Sequence, residues 1–161
     1  MDLHLAADEQ FEKLIGDRIA PPGSSRIVYK YVGRDDLVIK VSISSNVANW
    51  TEFLIYSALN ELDGAAIFGA IHAVSASGKY LVMERLDDLL SADLPKRPNY
   101  HAWMTDRKPS ACGKTADGVV KFRDYALVNV GSLLANSVRT PPPSPEDIAE
   151  MDRLIKIMNP K

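Results

Sequence analysis

The run Leu37-Val38-Ile39-Lys40-Val41-Ser42-Ile43 constrains this chain more tightly than any other stretch. Successive side chains of a strand point to opposite faces. Leu37, Ile39, Val41 and Ile43 therefore share one face, and Val38 and Lys40 share the other. A strand this apolar has to be covered. The lysine needs either water at a sheet edge, where lysine discourages unwanted pairing, or a reason to sit inside. Residues 26–32 read as a second strand, and Gly33-Arg34-Asp35-Asp36 supplies a tight turn between the two. A hairpin with strands 26–32 and 37–43 is expected.

The rest of the chain arranges itself around that hairpin. Residues 7–15 read as a short helix with Phe11, Leu14 and Ile15 on one side and Gly16 ending it. Ala20-Pro21-Pro22-Gly23-Ser24-Ser25 is a break. Over residues 49–62, Trp50, Phe53, Leu54, Ala58 and Leu62 recur at helical spacing, and Glu52, Ile55, Tyr56 and Leu59 form an adjoining stripe. A helix apolar over most of its girth packs on two sides, which places Glu52 at a partly buried position. Strands are expected at 71–75 and 80–83 around Ala76-Ser77-Gly78-Lys79, and a further hairpin at Asp117-Gly118 with 119–122 as its return strand. A short helix over 129–138 and a proline-rich connector over 140–145 follow. Ser144-Pro145-Glu146-Asp147 opens a last helix, with a serine cap, an early proline and acids at the positive end of the dipole. Ile148, Met151, Ile155 and Met158 give that helix one apolar seam, which must dock on the body or on a partner. No internal repeat is present. The fold class expected is α+β, an antiparallel sheet with one packed helix and a reduced C-terminal helical part.

Length and composition bound the function. A chain of 161 residues with 46% hydrophobic content supports one domain with a substantial core. Its parts are an N-terminal helix and linker (1–22), the sheet and its helix (23–87), a loop-rich region (88–138) and a C-terminal helix (139–161). A formal charge of −2 gives no electrostatic reason to expect nucleic acid or an anionic membrane as partner. The single cysteine, Cys112, allows no intrachain disulfide and suits a reducing compartment. Met1-Asp2-Leu3-His4 does not open a signal peptide, and no run approaches the roughly 20 apolar residues of a membrane span. A soluble, cytoplasmic protein is expected.

The chemistry-bearing residues come in one order. Lys40 and Glu52 are followed by Thr105-Asp106-Arg107-Lys108-Pro109-Ser110-Ala111, and Asp124-Tyr125-Ala126 lies eighteen residues beyond Asp106. Phosphoryl transfer needs positive charge on the phosphates, a divalent cation held by oxygen ligands, and an acceptor for the hydroxyl proton. Lys40, Asp124 and Asp106 are of the right types in the right sequence. Taken one at a time, blander readings win. Lys40 would be an edge-strand lysine, Glu52 a solvated helix residue, Asp106 the start of a turn before Pro109, and Asp124 the cap of a strand end. Their joint order is what reverses that balance. Cys112 reads as a small semi-buried residue, Tyr100 and Trp103 as packing, and His4, His72 and His101 lack metal-ligand spacing.

In this order the elements resemble the protein-kinase-like fold. Val38-Ile39-Lys40 resembles the strand whose lysine holds ATP phosphates, and Glu52 matches the acid that pairs with that lysine. Val38 would cover an adenine. Leu81-Val82-Met83-Glu84-Arg85-Leu86 resembles the strand entering the adenine-binding hinge, which makes Met83 and Glu84 nucleotide neighbours. The resemblance implies Asp106 and Lys108 as catalytic residues, Asp124 as the magnesium ligand, and ATP with Mg²⁺ as cofactors. The departures point elsewhere. No G-x-G-x-x-G precedes Lys40, Gly23-Ser24-Ser25 being the candidate phosphate-covering turn. Ala111 stands where the family keeps a metal-binding asparagine, and Ala126 replaces a glycine. About twenty residues separate Leu86 from Asp106 and fewer than forty follow Asp124, too few for the family's large helical lobe. The resemblance spans roughly residues 23–126 and is closest in kind to small truncated kinase-like proteins of bacteria and bacteriophages. Two functions stay open: a reduced domain that binds ATP and Mg²⁺ but is weak or inactive as a phosphotransferase, or an inert kinase-like module, for instance a virus-encoded one, that binds and modulates another protein. A third outcome is an unrelated α+β domain in which the matches are accidental.

Overall fold

The computed structural model describes residues 3–61, 64–129 and 145–158. In chain order the elements are α1 (Asp8–Glu12), β1 (Ile15–Arg18), β2 (Arg26–Tyr31), β3 (Arg34–Ser42), α2 (Val47–Glu61), β4 (Ile71–Val74), β5 (Tyr80–Glu84), β6 (Cys112–Lys114), β7 (Val120–Phe122) and α3 (Pro145–Met158). The first five strands form one antiparallel sheet in the order β1-β2-β3-β5-β4, and β6 pairs with β7. The class is α+β, a five-stranded antiparallel sheet with a packed helix.

The period-2 pattern of β3 divides the core in two. Leu37 and Ile39 turn to one face, where they join Phe11, Ala73, Tyr80 and Val82. Phe11 of α1 stacks on Tyr80 with ring centroids 5.9 Å apart, so the N-terminal segment closes this side of the sheet. Val38 turns to the other face and joins Leu54, Ile55 and Leu59 of α2, with Leu81 and Met83 of β5 and Phe68, Trp103, Phe122 and Tyr125 beyond. Lys40 lies on that second face. Because β3 is central, the edge-strand explanation of Lys40 fails.

Two expectations shift for identifiable reasons. The helix expected over 7–15 stops at Glu12, and Gly16 belongs to a strand. Ile15 pairs with Tyr31 along the outer edge of β2, and those ladder bonds outweigh the weak drive of a helix this short to propagate. The turn after β2 shrinks to Val32-Gly33, with Gly33 at φ +83°. Arg34 to Asp36 are extended, their side chains joined on one strand face at 2.6 and 2.7 Å. The expected hairpin at Asp117-Gly118 is present and pairs Cys112 with Phe122.

The helix expected over 129–138 lies outside the described residues but for Asn129, as do the Ser144 cap and the side chains of Ile148, Met151 and Ile155. Where α3 is described, it packs on α2 and buries Leu154 in the main core. No helix among the described residues is long and apolar enough to cross a membrane.

Candidate functional site

Strand alternation and register assemble the site. Val28 of β2 faces Lys40 of β3 directly, and Arg26, two residues before Val28, projects from the same face as both. Asn49 and Glu52, one helical turn apart on α2, face them. Asn49 ties the start of α2 to the sheet by donating to the carbonyls of Lys40, Gly78 and Lys79 at 3.2, 3.0 and 2.9 Å. That anchorage fixes where Glu52 points.

Glu52 is fully buried and gathers two cations. Arg26 grips it bidentately, Nη1 to Oε2 at 2.6 Å and Nη2 to Oε1 at 2.7 Å. Lys40 Nζ donates to both carboxylate oxygens at 3.1 and 2.9 Å, and also to the Arg123 carbonyl. The Tyr125 N–H completes the set at 3.0 Å. Burial alone would raise the Glu52 carboxyl, but the charges and hydrogen bonds of Arg26 and Lys40 outweigh it and hold it at about 2. Burial lowers Lys40, helped by the Arg26 charge and opposed by Glu52 and Asp124. Arg26 is also penalised by burial, yet Glu52 and Asp124 keep its proton bound more firmly than usual.

Arg26 Nη2 reaches further, to Asp124 Oδ1 at 2.8 Å. Asp124 follows β7, its side chain 48% exposed, and its N–H and that of Arg123 both bond the Ala111 carbonyl at 3.1 and 2.8 Å. Below it, Tyr125 is buried against Phe68 with ring centroids 4.8 Å apart and donates its hydroxyl to the Gly69 carbonyl at 3.2 Å. Four groups thus form one chain, Lys40–Glu52–Arg26–Asp124, whose formal charges cancel.

A cleft of about 780 Å³ opens onto this chain. It is lined by Val28, Val38, Lys40, Met83 and Glu84 from the sheet, by Asp106, Lys108 and Asp124 from the loops, and by Ile19 to Ser25 of the β1–β2 connection, Pro22 excepted. Glu52 lies behind its wall. The candidate phosphate-covering turn, Gly23-Ser24-Ser25, therefore borders the same space as Lys40. A smaller hollow of about 250 Å³ beside Tyr56 and Lys121 shares no lining residue with it.

The remaining candidates have other engagements. Asp106 is buried and pairs with Lys108 Nζ at 3.6 Å, the lysine being 71% exposed. Glu84 borders the cleft, but its carboxylate accepts from Lys121 at 3.0 and 3.2 Å and from the Ala70 N–H at 3.1 Å. Ala111 is buried and does not line the cleft. Met83 and Val38 are core residues that reach the cleft wall. Cys112 and Trp103 are fully buried packing residues, and burial pushes the Cys112 thiol up.

Magnesium demands near-octahedral oxygen ligation, and these residues do not fit it. The carboxylates that line the cleft are each held by a cation, Asp124 by Arg26, Asp106 by Lys108, Glu84 by Lys121, Asp87 by Arg85 and Asp88 by Arg123, and Ala111 brings no side-chain ligand. Among the described residues no three His, Cys, Asp or Glu side chains come together to hold a metal.

Sequence reasoning missed Arg26, Asn49 and Arg123. Strand alternation puts Arg26 on the face of Val28, and the register that sets Val28 opposite Lys40 is what brings it to the site. Arg123 links β7 to the segment after β5, donating to the Leu86 carbonyl at 2.9 Å and to Asp88 at 2.8 Å.

No protein-family model matches the chain, and no curated protein matches it either. Among solved structures it is similar to the bifunctional kinase-methyltransferase WbdD, at 13% identity and a TM-score of 0.42, over 88% of this chain and 47% of that one. A structure of WbdD with the kinase inhibitor LY294002 matches at 15% identity and a TM-score of 0.35, over 88% and 46%. The chain thus spans about half the length of these structures. Likeness of this degree leaves function to be argued from the site.

Proposed function

We propose that the chain is a reduced protein-kinase-like domain that holds a nucleotide in this cleft and is weak or inactive in phosphoryl transfer. The observation that carries this is the convergence of Lys40, Asp106 and Asp124, drawn from three separate parts of the chain, on one cleft that Val38 and Met83 also line. Val28, Val38, Met83 and Leu127 offer apolar walls to a flat base. Lys40, Arg26 and the Gly23-Ser24-Ser25 turn border the part that phosphates would enter. Transfer is disfavoured because it depends on preorganised charges aimed at the reacting group. Here Asp106 is paired with Lys108, Asp124 with Arg26, and residue 111 has no polar group.

Thermal unfolding with ATP tests the reading. At about 100-fold excess over the dissociation constant a ligand stabilises by about 3 kcal/mol, which for a chain of this size is a rise in Tm of about 6–12 °C. The rise should vanish in Lys40→Met, and no labelled phosphate should reach the protein or small hydroxyl acceptors. No rise in the parent protein would sink nucleotide binding. That result would leave the second reading, an inert module that docks on another protein, which the Arg26–Asp124 bond also favours by occupying the group a metal would need.

A further inference from the structure

We propose that Arg26 takes the place of a divalent cation at Asp124, so that the cleft receives nucleotide phosphates without metal; the phosphate half rests on the nucleotide reading above. A cation in such a site neutralises phosphate and fixes the carboxylate, and Arg26 is placed for both. Its guanidinium is a planar fork that carries its charge at every working pH. One side of the fork is locked by Glu52 at 2.6 and 2.7 Å and by Asn49 Oδ1 at 3.3 Å, and Nη2 extends to Asp124 at 2.8 Å. Its backbone is held in register opposite Ser42 of β3. Arg26 therefore cannot leave by losing a proton, and swinging away would strand a buried carboxylate with one partner fewer.

A dication arriving at Asp124 would meet that fixed positive charge within a few ångströms and be repelled. A phosphate meets the opposite situation. Asp124 is about half exposed and can turn into water, while Arg26 stays locked on Glu52. The departure of one carboxylate from a neutral set of four leaves Lys40, Glu52 and Arg26 with a net charge of +1 facing the anion. Guanidinium forks suit phosphate oxygens geometrically as well as electrostatically.

Two measurements on the wild-type protein decide the matter. First, ATP affinity by calorimetry should agree within about two-fold in EDTA and in excess Mg²⁺, far below the ten-fold that 1.4 kcal/mol would produce. A ten-fold or greater requirement for Mg²⁺ overturns the inference while leaving nucleotide binding intact. Second, Mn²⁺ alone, followed by electron paramagnetic resonance, should show no uptake at Asp124. Uptake that Asp124→Asn abolishes overturns the inference whatever ATP does. Absence of ATP binding under both conditions sinks the nucleotide reading and the phosphate half, and the Mn²⁺ result then decides the role of Arg26. Arg26→Gln should gain Mn²⁺ affinity by about ten-fold or more as the repelling charge goes, and lose it again in Arg26→Gln/Asp124→Asn. A folded Arg26→Gln that gains none counts against the proposal. If that variant does not fold, both wild-type arms still stand.

Discussion

Replacing Glu52 by glutamine removes one charge and almost no volume, and the structure sets the size of the result. Glu52 is fully buried, with Arg26 and Lys40 donating to both of its oxygens. In Glu52→Gln the two cations, each under a tenth exposed, face one another with Asp124 as the nearest remaining anion. Breaking a buried ion pair by removing one partner costs about 3–5 kcal/mol. A second route gives a similar figure. The carboxyl moves from 4.5 to about 2 on folding, which at about 1.4 kcal/mol per pH unit amounts to about 3 kcal/mol. At about 2–4 °C per kcal/mol for a chain of this size, Tm should fall by about 6–20 °C at pH 7.

The pH dependence makes the test sharper. The folded-state value is depressed, so the contribution is fully present above about 4.5 and is lost as pH falls toward about 2. By pH 3 about 2 kcal/mol of it should be gone. Glutamine does not titrate, so the stability gap between wild type and Glu52→Gln, measured by urea melts with matched m-values, should narrow by that amount between pH 7 and pH 3. A variant within about 1 kcal/mol of wild type at pH 7, or a gap that does not change with pH, would refute the assignment of Glu52 as a buried, charged hub.

Two further substitutions probe the turn that orients α2 and the altered loop position. Gly78 sits at φ +79°, and a Cβ there would collide with the Trp50 indole; Gly78→Ala should cost about 2–4 kcal/mol from backbone strain and clash together, and wild-type stability in a urea melt would refute this. Ala111→Asn, which supplies the side chain the kinase-like pattern calls for, should lower Tm by about 2–12 °C because it overfills a buried position at a cost of about 1–3 kcal/mol. It should also gain no phosphoryl transfer, since Arg26 still holds Asp124; transfer of label above wild type would show that residue 111 alone had been limiting.

The sheet and its packed helix were legible because their signals are local and redundant. Alternation in 37–43, the glycine turns at Gly33, Gly78 and Gly118, and two apolar stripes on 49–62 each mark their element without reference to the rest. What failed was local competition. Residues 7–15 carry helix-compatible apolar spacing at Phe11, Leu14 and Ile15, yet the open edge of β2 offers Ile15 a ladder partner, and no single-segment pattern registers that. Lys40 and Glu52 could be named because each is out of place by a local rule, a lysine in an apolar strand and a glutamate in an apolar stripe. Asp106 and Asp124 could be named because a motif joins them.

Arg26 broke no local rule. At the first position of a strand after Pro21-Pro22-Gly23-Ser24-Ser25, an arginine reads as a solvated residue, and its meaning lies in partners 26 and 98 residues away. Recognising it requires charge to be counted across the fold. Buried Lys40 and Glu52 would already neutralise each other, so Arg26 on the same face brings a charge that needs its own anion, and Asp124 supplies it. Arg26 thereby links the sheet to the helix α2 through Glu52 and to the loop after β7 through Asp124. If Arg26 takes the cation's place as proposed, a polar side chain at residue 111 would have no metal to ligate, and the buried Ala111 fits that arrangement.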